Sequence, residues 1–217
     1  MQARDWEDIA AFDWQGQPAL LIADTGDNKA KRKAVTLYAV SDPGRVGTPK
    51  LLWQVDFRYP EGPRDCEAVA VDPLDGSALL LSKREHPKQL FRVPLPKARP
   101  QIGVTVAEPL GAVTTIPGMT ATDVVAYPGQ SAFFGQPTAL DISRDGHTII
   151  VVTYKHTLRW RRADGQSWAE VFAASPETLD APVLHQAEAG AISADGASVF
   201  LSSEGRHAPL LRVPLPP

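Results

Sequence analysis

The sequence predicts an all-β fold, a β-propeller with four recognisable blades. Three observations support this prediction: the chain repeats itself four times, each repeat contains a glycine-bearing turn, and apolar residues alternate with polar ones around the turn. Helical periodicity is almost absent. The 217 residues include 20 prolines and 16 glycines, which favour many short strands within a single domain over residues 1–217.

The four repeats each begin with a polar triplet that leads into an apolar run. They read DWEDIAAFDWQG, DCEAVAVDPLDG, QPTALDISRDG and QAEAGAISADG, and they start at Asp5, Asp65, Gln136 and Gln186. A second and a third apolar run follow each turn, and the string RVPLP recurs in the second and fourth repeats. Three to four antiparallel strands per repeat are typical of a propeller blade.

The strands after the third run are less regular. Fourth strands are expected in KLLWQVDF, GVTVAEPL and SWAEVFAA, and one turn of helix in SPETLDAPVLHQAE. Residues 116–135 fit no strand and are predicted to form an inserted loop over one face. The last blade lacks its outer strand, so either the ring closes incompletely or the open edge pairs with another strand. The second alternative predicts a homodimer.

The bulk composition excludes several classes of function. The formal net charge of −3 gives no reason to expect nucleic acid or an anionic membrane as partner. The N-terminus lacks the apolar segment of a signal peptide, and no apolar run reaches membrane-spanning length. The sequence as written therefore predicts a cytoplasmic protein, and an exported one if the native gene encodes a longer N-terminus. The single cysteine, Cys66, excludes an intramolecular disulfide and is predicted to be buried filler.

The polar triplets predict a metal site at the propeller axis. The first strand of each blade lies nearest the axis, so the starts of these strands meet on one face. Crowded carboxylates must protonate, pair or bind a cation, and hard oxygen ligands favour Ca²⁺ or Mg²⁺. The predicted ligands are Glu7, Glu67 and Glu188, with Asp24 or Asn28 as a further ligand. The alternative is that the acids bind backbone amides and pair with lysines and arginines.

Candidate catalytic residues lie in the loops between second and third strands, which open on the same face. Lys83 and Lys155 are predicted to bind an anionic substrate, and His156 is a candidate general base. The sequence contains no H-E-x-x-H spacing, G-x-S-x-G elbow, Walker sequence or dinucleotide fingerprint. The predicted partner is therefore a small-molecule substrate or ligand.

These segments together resemble a group of largely uncharacterised bacterial β-propeller proteins. The resemblance is carried by DWEDIA, ADTGDNKAKRKAVTLYAV, YPEGPRDCEAVAVDP, LDISRDG and LSSEG with PLLRVPLP, and it covers nearly the whole chain. The group is distantly similar to phytase-like and lactonase-type propellers. Its members usually carry a further blade before the DWEDIA repeat, and that N-terminal blade is missing here. The resemblance implies the propeller fold and brings no established activity.

Two functions are compatible with an acidic face of this kind. The first is a metal-assisted hydrolase of an ester, lactone or phosphoester, with the repeated glutamates as ligands. The second is a non-catalytic propeller that binds a protein or small ligand over the same face, with the inserted loop as recognition element. A chelator separates the two, because only the hydrolase would lose its activity with the metal.

Overall fold

The computed structural model describes residues 3–44, 47–98 and 103–216, and it confirms the all-β propeller with four blades. In chain order the strands are β1 (Asp8–Trp14), β2 (Gln17–Asp24), β3 (Val35–Ser41), β4 (Leu51–Arg58), β5 (Ala68–Asp72), β6 (Ser77–Leu81), β7 (Lys88–Pro94), β8 (Val104–Val106), β9 (Glu108–Val113), β10 (Pro137–Ile142), β11 (Thr148–Thr153), β12 (Thr157–Arg161), β13 (Glu177–Thr178), β14 (Ala187–Ile192), β15 (Ser198–Ser203) and β16 (Leu211–Pro214). The helices are α1 (Ala121–Ala126), α2 (Trp168–Ala173) and a 3₁₀ turn at Ser131–Phe133. Within the described ranges, no helix is long and apolar enough to span a membrane.

Each blade is an antiparallel sheet whose strands follow one another along the chain. The hairpin turns carry glycines at positive φ, 75° at Gly16 and 70° at Gly76, a conformation that favours glycine. The first three blades have the orders β1-β2-β3-β4, β5-β6-β7-β9 and β10-β11-β12-β13. The last blade has the order β14-β15-β16. The described residues thus confirm that the last blade lacks an outer strand.

Two of the three predicted fourth strands are corrected by the structure. GVTVAEPL is divided: β8 pairs in parallel with β4 of the first blade, and β9 supplies the fourth strand of the second. SWAEVFAA forms α2 instead of a strand. Ser167 and Glu170 make a reciprocal capping box at its start, and Trp168, Val171 and Phe172 are buried. A short apolar run does not distinguish a strand from a helix by periodicity alone.

The helix predicted in SPETLDAPVLHQAE is wrong as well. This segment contains the two-residue strand β13, which pairs with β12 and completes the third blade. Arg159 stands opposite Glu177 in this ladder and forms an ion pair with it. Two residues are too few to show the alternation by which strands are recognised in a sequence.

The inserted segment, residues 116–135, contains α1 and the 3₁₀ turn, and none of its residues lies in a strand. It packs on the loop between β11 and β12. The ring of Phe133 meets that of Tyr154 edge-on with 6.5 Å between centroids. Asp123 forms an ion pair with Lys155 at 2.7 Å. The segment therefore lies over the third blade.

Apolar side chains fill the spaces between neighbouring blades. The described residues form three clusters, between the first and second, second and third, and third and last blades. Burial of these side chains is the main stabilising contribution to such a fold. Representative members are Phe57 and Phe91 in the first cluster, Leu81 and Trp160 in the second, and Val152 and Leu201 in the third.

Candidate functional site

The starts of the first two blades bring three carboxylates together. Glu7 precedes β1, and Asp65 and Glu67 precede β5. One oxygen of each lies within 4.8 Å of an oxygen of the other two. Contacts between β1 and β5 hold the two chain segments side by side. Three convergent oxygen ligands of this kind fit a divalent cation such as Ca²⁺ or Mg²⁺.

The loop after β2 closes against these acids at Gly26. A Cβ at this position would lie 2.1 Å from Oε1 of Glu7 and 2.6 Å from Oδ2 of Asp5, so only glycine fits without a shift. The next residue extends the contact, because the backbone N–H of Asp27 donates to Oδ1 of Asp65 at 2.8 Å. The glycine of the DTGDN loop thus permits a close approach of backbone to carboxylates.

Gly26→Ala is expected to destabilise the protein by about 1 kcal/mol, the lower end of the cost of overpacking, because the added methyl group displaces the ends of the Glu7 and Asp5 side chains and no backbone. Urea unfolding measures the change. The matched control is Gly118→Ala, since no atom lies within 4 Å of a Cβ there and its φ is outside the left-handed region. Equal free energies of unfolding for both variants would contradict the close approach at Gly26.

A chain of hydrogen bonds leads from the carboxylate cluster to the third and last blades. Lys83, which is only 4% exposed, forms an ion pair with Glu67. Its Nζ also donates to the hydroxyl of Tyr154 at 3.0 Å, and that hydroxyl donates to Oε1 of Glu188 at 2.9 Å. Glu188 is therefore connected to Glu67 through two other side chains. In the cluster itself Asp65, rather than Glu188, stands beside the other two acids.

Burial and mutual repulsion raise the proton affinity of the cluster. Burial, followed by the negative charges of Glu67 and Asp5, raises the pKa of Glu7 from 4.5 to about 8. Burial also raises the pKa of Glu67, although the ion pair with Lys83 opposes the shift. Glu7 therefore holds a proton at neutral pH when no cation neutralises the cluster.

The two groups between Glu67 and Glu188 keep fixed protonation states. Burial lowers the pKa of Lys83, but its hydrogen bonds to Glu67 and Tyr154 outweigh this effect and leave the pKa raised. Burial raises the pKa of Tyr154 to about 12. At neutral pH the pair consists of an ammonium and a protonated phenol, and together they hold the Glu67 carboxylate in place.

Asp24 and Asn28, predicted as a further metal ligand, make other contacts. Asp24 is buried, forms an ion pair with Arg32 at 2.8 Å and accepts a hydrogen bond from the backbone N–H of Arg4 at 3.0 Å. The side-chain oxygen of Asn28 accepts a hydrogen bond from the guanidinium of Arg84. Asp24 therefore anchors the segment before β1, and Asn28 orients an arginine of the second blade.

Lys155 and His156, two predicted catalytic residues, lie under the inserted segment. Lys155 is engaged by Asp123 of that segment at 2.7 Å. Burial, followed by the positive charge of Lys155, lowers the pKa of His156 below 6.5, so the imidazole is neutral at neutral pH. Both residues line a cavity of about 140 Å³ between the third and last blades.

Sequence reasoning missed three members of this arrangement. Asp65 belongs to the second polar triplet but was not among the predicted ligands. Arg84 donates through Nε to Oδ2 of Asp65 at 2.6 Å, and its side chain is 41% exposed. Asp65 occupies a repeat position that faces the axis, so the repeat indicates it, whereas Arg84 lies in the loop after β6, whose residues differ from repeat to repeat. Asp123 lies in the inserted segment, which has no equivalent in the other repeats and offers no such signal.

Comparison with known proteins adds support for the fold. No protein-family model and no curated protein matches the sequence. The Cps50 (Swd1) β-propeller domain of Myceliophteria thermophila aligns with 97% of this chain and 54% of its own, at 12% identity and a TM-score of 0.51. A "putative 6-phosphogluconolactonase" from Bacteroides uniformis ATCC 8492 aligns with 96% of this chain and 67% of its own, at 12% identity and a TM-score of 0.50. The periplasmic gluconolactonase PpgL of Pseudomonas aeruginosa aligns with 97% of this chain and 58% of its own, at 13% identity and a TM-score of 0.47.

The two structures with TM-scores of 0.50 and 0.51 show the propeller fold, which proteins of many functions share. The chain spans between 54% and 67% of the length of these three structures. Fold and geometry together define a β-propeller with an acidic cluster where its first two blades begin.

Proposed function

We propose that this protein binds a divalent cation, Ca²⁺ or Mg²⁺, and uses it to hydrolyse an ester, lactone or phosphoester. The observation that carries the proposal is the convergence of Glu7, Asp65 and Glu67 within 4.8 Å. Lys83 neutralises Glu67 and Arg84 neutralises Asp65, but no ion pair among the described residues neutralises Glu7. The pKa of Glu7 is instead raised to about 8, as expected of a carboxylate that an added cation would neutralise.

In this proposal the residues of the cluster and its neighbours have different roles. Glu7, Asp65 and Glu67 would hold the cation, which would supply Lewis-acid chemistry to the carbonyl or phosphoryl oxygen of a substrate. Lys83 is buried and engaged by Glu67, so its role is to position that carboxylate. Arg84 lies beside Asp65 with its side chain partly in solvent, and it binds the anionic group of a substrate.

The remaining residues support this centre from the third and last blades. Glu188 accepts the hydrogen bond of Tyr154 and so fixes the phenol that contacts Lys83. His156, a candidate general base that is neutral at neutral pH, lines the cavity between the third and last blades, and none of the three carboxylates lines that cavity. Lys155 holds the inserted segment in place through its ion pair with Asp123.

A second candidate function is the binding of a partner by the inserted segment, without catalysis. Exposed apolar side chains that lie close together in a chain segment are typical of interaction surfaces. In this alternative the acidic cluster contributes to folding only. The exposed apolar residues of the segment are Met119, Val124, Val125, Tyr127 and Phe133.

Hydrolysis assays with and without a chelator test the proposal. Across a panel of ester, lactone and phosphoester substrates, we expect EDTA to abolish turnover and Ca²⁺ or Mg²⁺ to restore it. Glu67→Gln is expected to lower the rate by about 100-fold or more, because a bound metal contributes several kcal/mol of transition-state stabilisation. Glu61→Gln, at a glutamate whose side chain is 78% exposed, is the matched control. Turnover that EDTA leaves unchanged would overturn the metal-assisted mechanism.

A further inference from the structure

The cavity of about 140 Å³ between the third and last blades is separate from the acidic cluster. One wall is the hairpin that joins β11 to β12, residues 152–157, and the other is formed by residues of the segment 178–184 after β13. The last blade contributes Ala187 and Leu201. None of the carboxylates proposed to hold the cation lines this space, so the proposed hydrolysis does not say what occupies it.

Much of the cavity wall is apolar. Four of its residues are buried members of the apolar cluster between the third and last blades: Val152, Leu179, Ala187 and Leu201. Val183, which also lines the cavity, is 67% exposed, so the cavity opens to solvent on this side. An apolar cavity of about 150 Å³ holds one benzene molecule. The space here therefore fits a single six-membered ring or an aliphatic group of that size.

One buried hydroxyl on the cavity wall lacks a partner. Thr157 stands opposite Val152 in the ladder between β11 and β12, so both side chains project from the side of the sheet that faces the last blade. Thr157 is only 6% exposed, and its hydroxyl has no hydrogen-bond partner among the described residues. Since buried polar groups in native proteins are nearly always hydrogen-bonded, this hydroxyl is expected to bond to a molecule in the cavity.

The imidazole of His156 supplies a second polar group on the same wall. The hydroxyl of Thr153 fixes the turn, because it accepts a hydrogen bond from the backbone N–H of His156 at 2.8 Å and donates to its carbonyl at 3.0 Å. Within the part of the chain that the structure describes, neither ring nitrogen has a partner. The neutral ring has one nitrogen that donates and one that accepts. A hydroxyl group of a ligand matches such a ring, because it also donates and accepts.

The charges on the cavity wall are balanced. Among the residues that the structure describes, Lys155 is the only one with a charged side chain at neutral pH that lines the cavity. Its ammonium donates to both carboxylate oxygens of Asp123 at 2.7 Å. Transfer of an ionised ligand from water would cost free energy that no unpaired charge on this wall returns. The cavity is therefore suited to a neutral ligand.

We infer that this cavity binds a small neutral molecule that consists of one six-membered ring, or an aliphatic group of equal size, and a single hydroxyl. The apolar wall takes the ring, and Thr157 and His156 take the hydroxyl. This binding site goes beyond the proposed hydrolysis and requires no cation, so it is tested in the presence of EDTA.

Nuclear magnetic resonance titrations of the ¹⁵N-labelled protein with phenol, cyclohexanol, benzene and benzoate test the inference. We expect phenol and cyclohexanol to shift the amide resonances of residues 152–157 and 178–184 with saturation. Benzene is expected to bind about 3–10-fold more weakly than phenol, because it lacks the hydrogen bond of the hydroxyl. Benzoate, which has the same ring and a negative charge, is expected not to saturate these shifts.

Three variants locate the ligand. Thr157→Val exchanges the hydroxyl for a methyl group and is expected to weaken phenol binding about 3–10-fold while benzene binding is kept. Ala181→Leu adds volume at a half-buried residue of the cavity wall and is expected to abolish the binding of both. The matched control is Ala169→Leu, at an exposed alanine of α2, which should bind both as the unaltered protein does. Circular dichroism checks that each variant is folded.

Four results would overturn the inference. If none of the four compounds gave saturable shifts, the cavity would hold water only. Benzoate binding as tight as that of phenol would contradict the neutral class of ligand. Equal weakening of phenol and benzene in T157V would remove the Thr157 hydroxyl from the site. Phenol binding that a folded A181L leaves unchanged would place the ligand elsewhere on the protein.

Discussion

Asp72→Ala is expected to lower the free energy of unfolding by about 3–5 kcal/mol, because it leaves a buried arginine without its partner. Asp72 ends β5, and its side chain is 1% exposed. It pairs with Nη1 of Arg162 at 2.7 Å and accepts a hydrogen bond from Nε1 of Trp168 at 2.7 Å. The guanidinium of Arg162 also lies 4.0 Å from the centre of the Trp168 ring. One carboxylate therefore joins the second blade to the third.

Urea unfolding of two further proteins distinguishes this mechanism from a general loss of packing. The double variant Asp72→Leu with Arg162→Met is expected to be less destabilised than Asp72→Ala, because neither partner is left unpaired. Glu108→Ala, at an exposed ion pair with Arg92, is expected to cost about 1 kcal/mol or less. If the double variant lost as much free energy of unfolding as Asp72→Leu and Arg162→Met lose when measured singly and added together, the coupling between the two side chains would be contradicted.

The pH dependence of the same contact has a definite sign. Burial raises the pKa of Asp72, but the hydrogen bonds from Arg162 and Trp168 outweigh this effect and leave the pKa below 3.8. Because the folded pKa is lowered, the stabilisation is present above the unfolded value and is lost as the pH falls through the folded value. The difference between the unaltered protein and D72A should therefore shrink in acid.

The fold could be predicted from the sequence because its signals are local and repeated. Each blade needs a turn glycine and an alternating run on either side of it, and both are visible in short segments such as the one around Gly76. The elements that were mispredicted are those whose identity depends on packing. Trp168 and Phe172 would suit a strand equally well by their apolar character. Their burial between the second and third blades selects a helix, together with the capping box of Ser167 and Glu170, a local signal that the sequence also carries.

The candidate site could be predicted only in part, for a similar reason. Glu7 and Glu67 were indicated because they occupy the same position in their repeats, and the structure does bring their two carboxylates together. Glu188 holds the same position, but Lys83 and Tyr154 lie between it and Glu67. The distance that each side chain spans between blades is a tertiary property, and no spacing along the chain encodes it.

A divalent cation is expected to stabilise the protein more at pH 8 than at pH 5.5, because the cation and the proton compete for Glu7. At about 100 times its dissociation constant, Ca²⁺ or Mg²⁺ should add about 2.7 kcal/mol to the free energy of unfolding. The groups that set the proton affinity of Glu7 are the acids Glu67, Asp5 and Asp65 and the base Lys83. Thermal unfolding with EDTA, and with each cation added back, measures the effect.

Without a cation, the same carboxyl group gives a pH dependence of the opposite direction. The pKa of Glu7 is about 8 in the folded chain against 4.5 for an ordinary glutamate, so the folded state binds more protons between these values. Its contribution to stability is therefore fully present below pH 4.5 and is lost as the pH rises through 8. Because Glu7 is only partly buried, solvent screening reduces this contribution to roughly 1–2 kcal/mol.

Glu7→Gln isolates this contribution, because an amide neither titrates in this range nor competes for the cation as a carboxylate does. We expect E7Q to lose both the cation-dependent stabilisation at pH 8 and the Glu7 part of the pH dependence, while Glu61→Gln keeps both. Other buried groups titrate nearby, including Lys88 with a pKa of about 8, lowered by burial, so the comparison uses the difference between E7Q and the unaltered protein. Parallel pH curves for these two proteins would contradict a shared proton and cation site at Glu7. A cation effect that persists in E7Q would place the cation elsewhere.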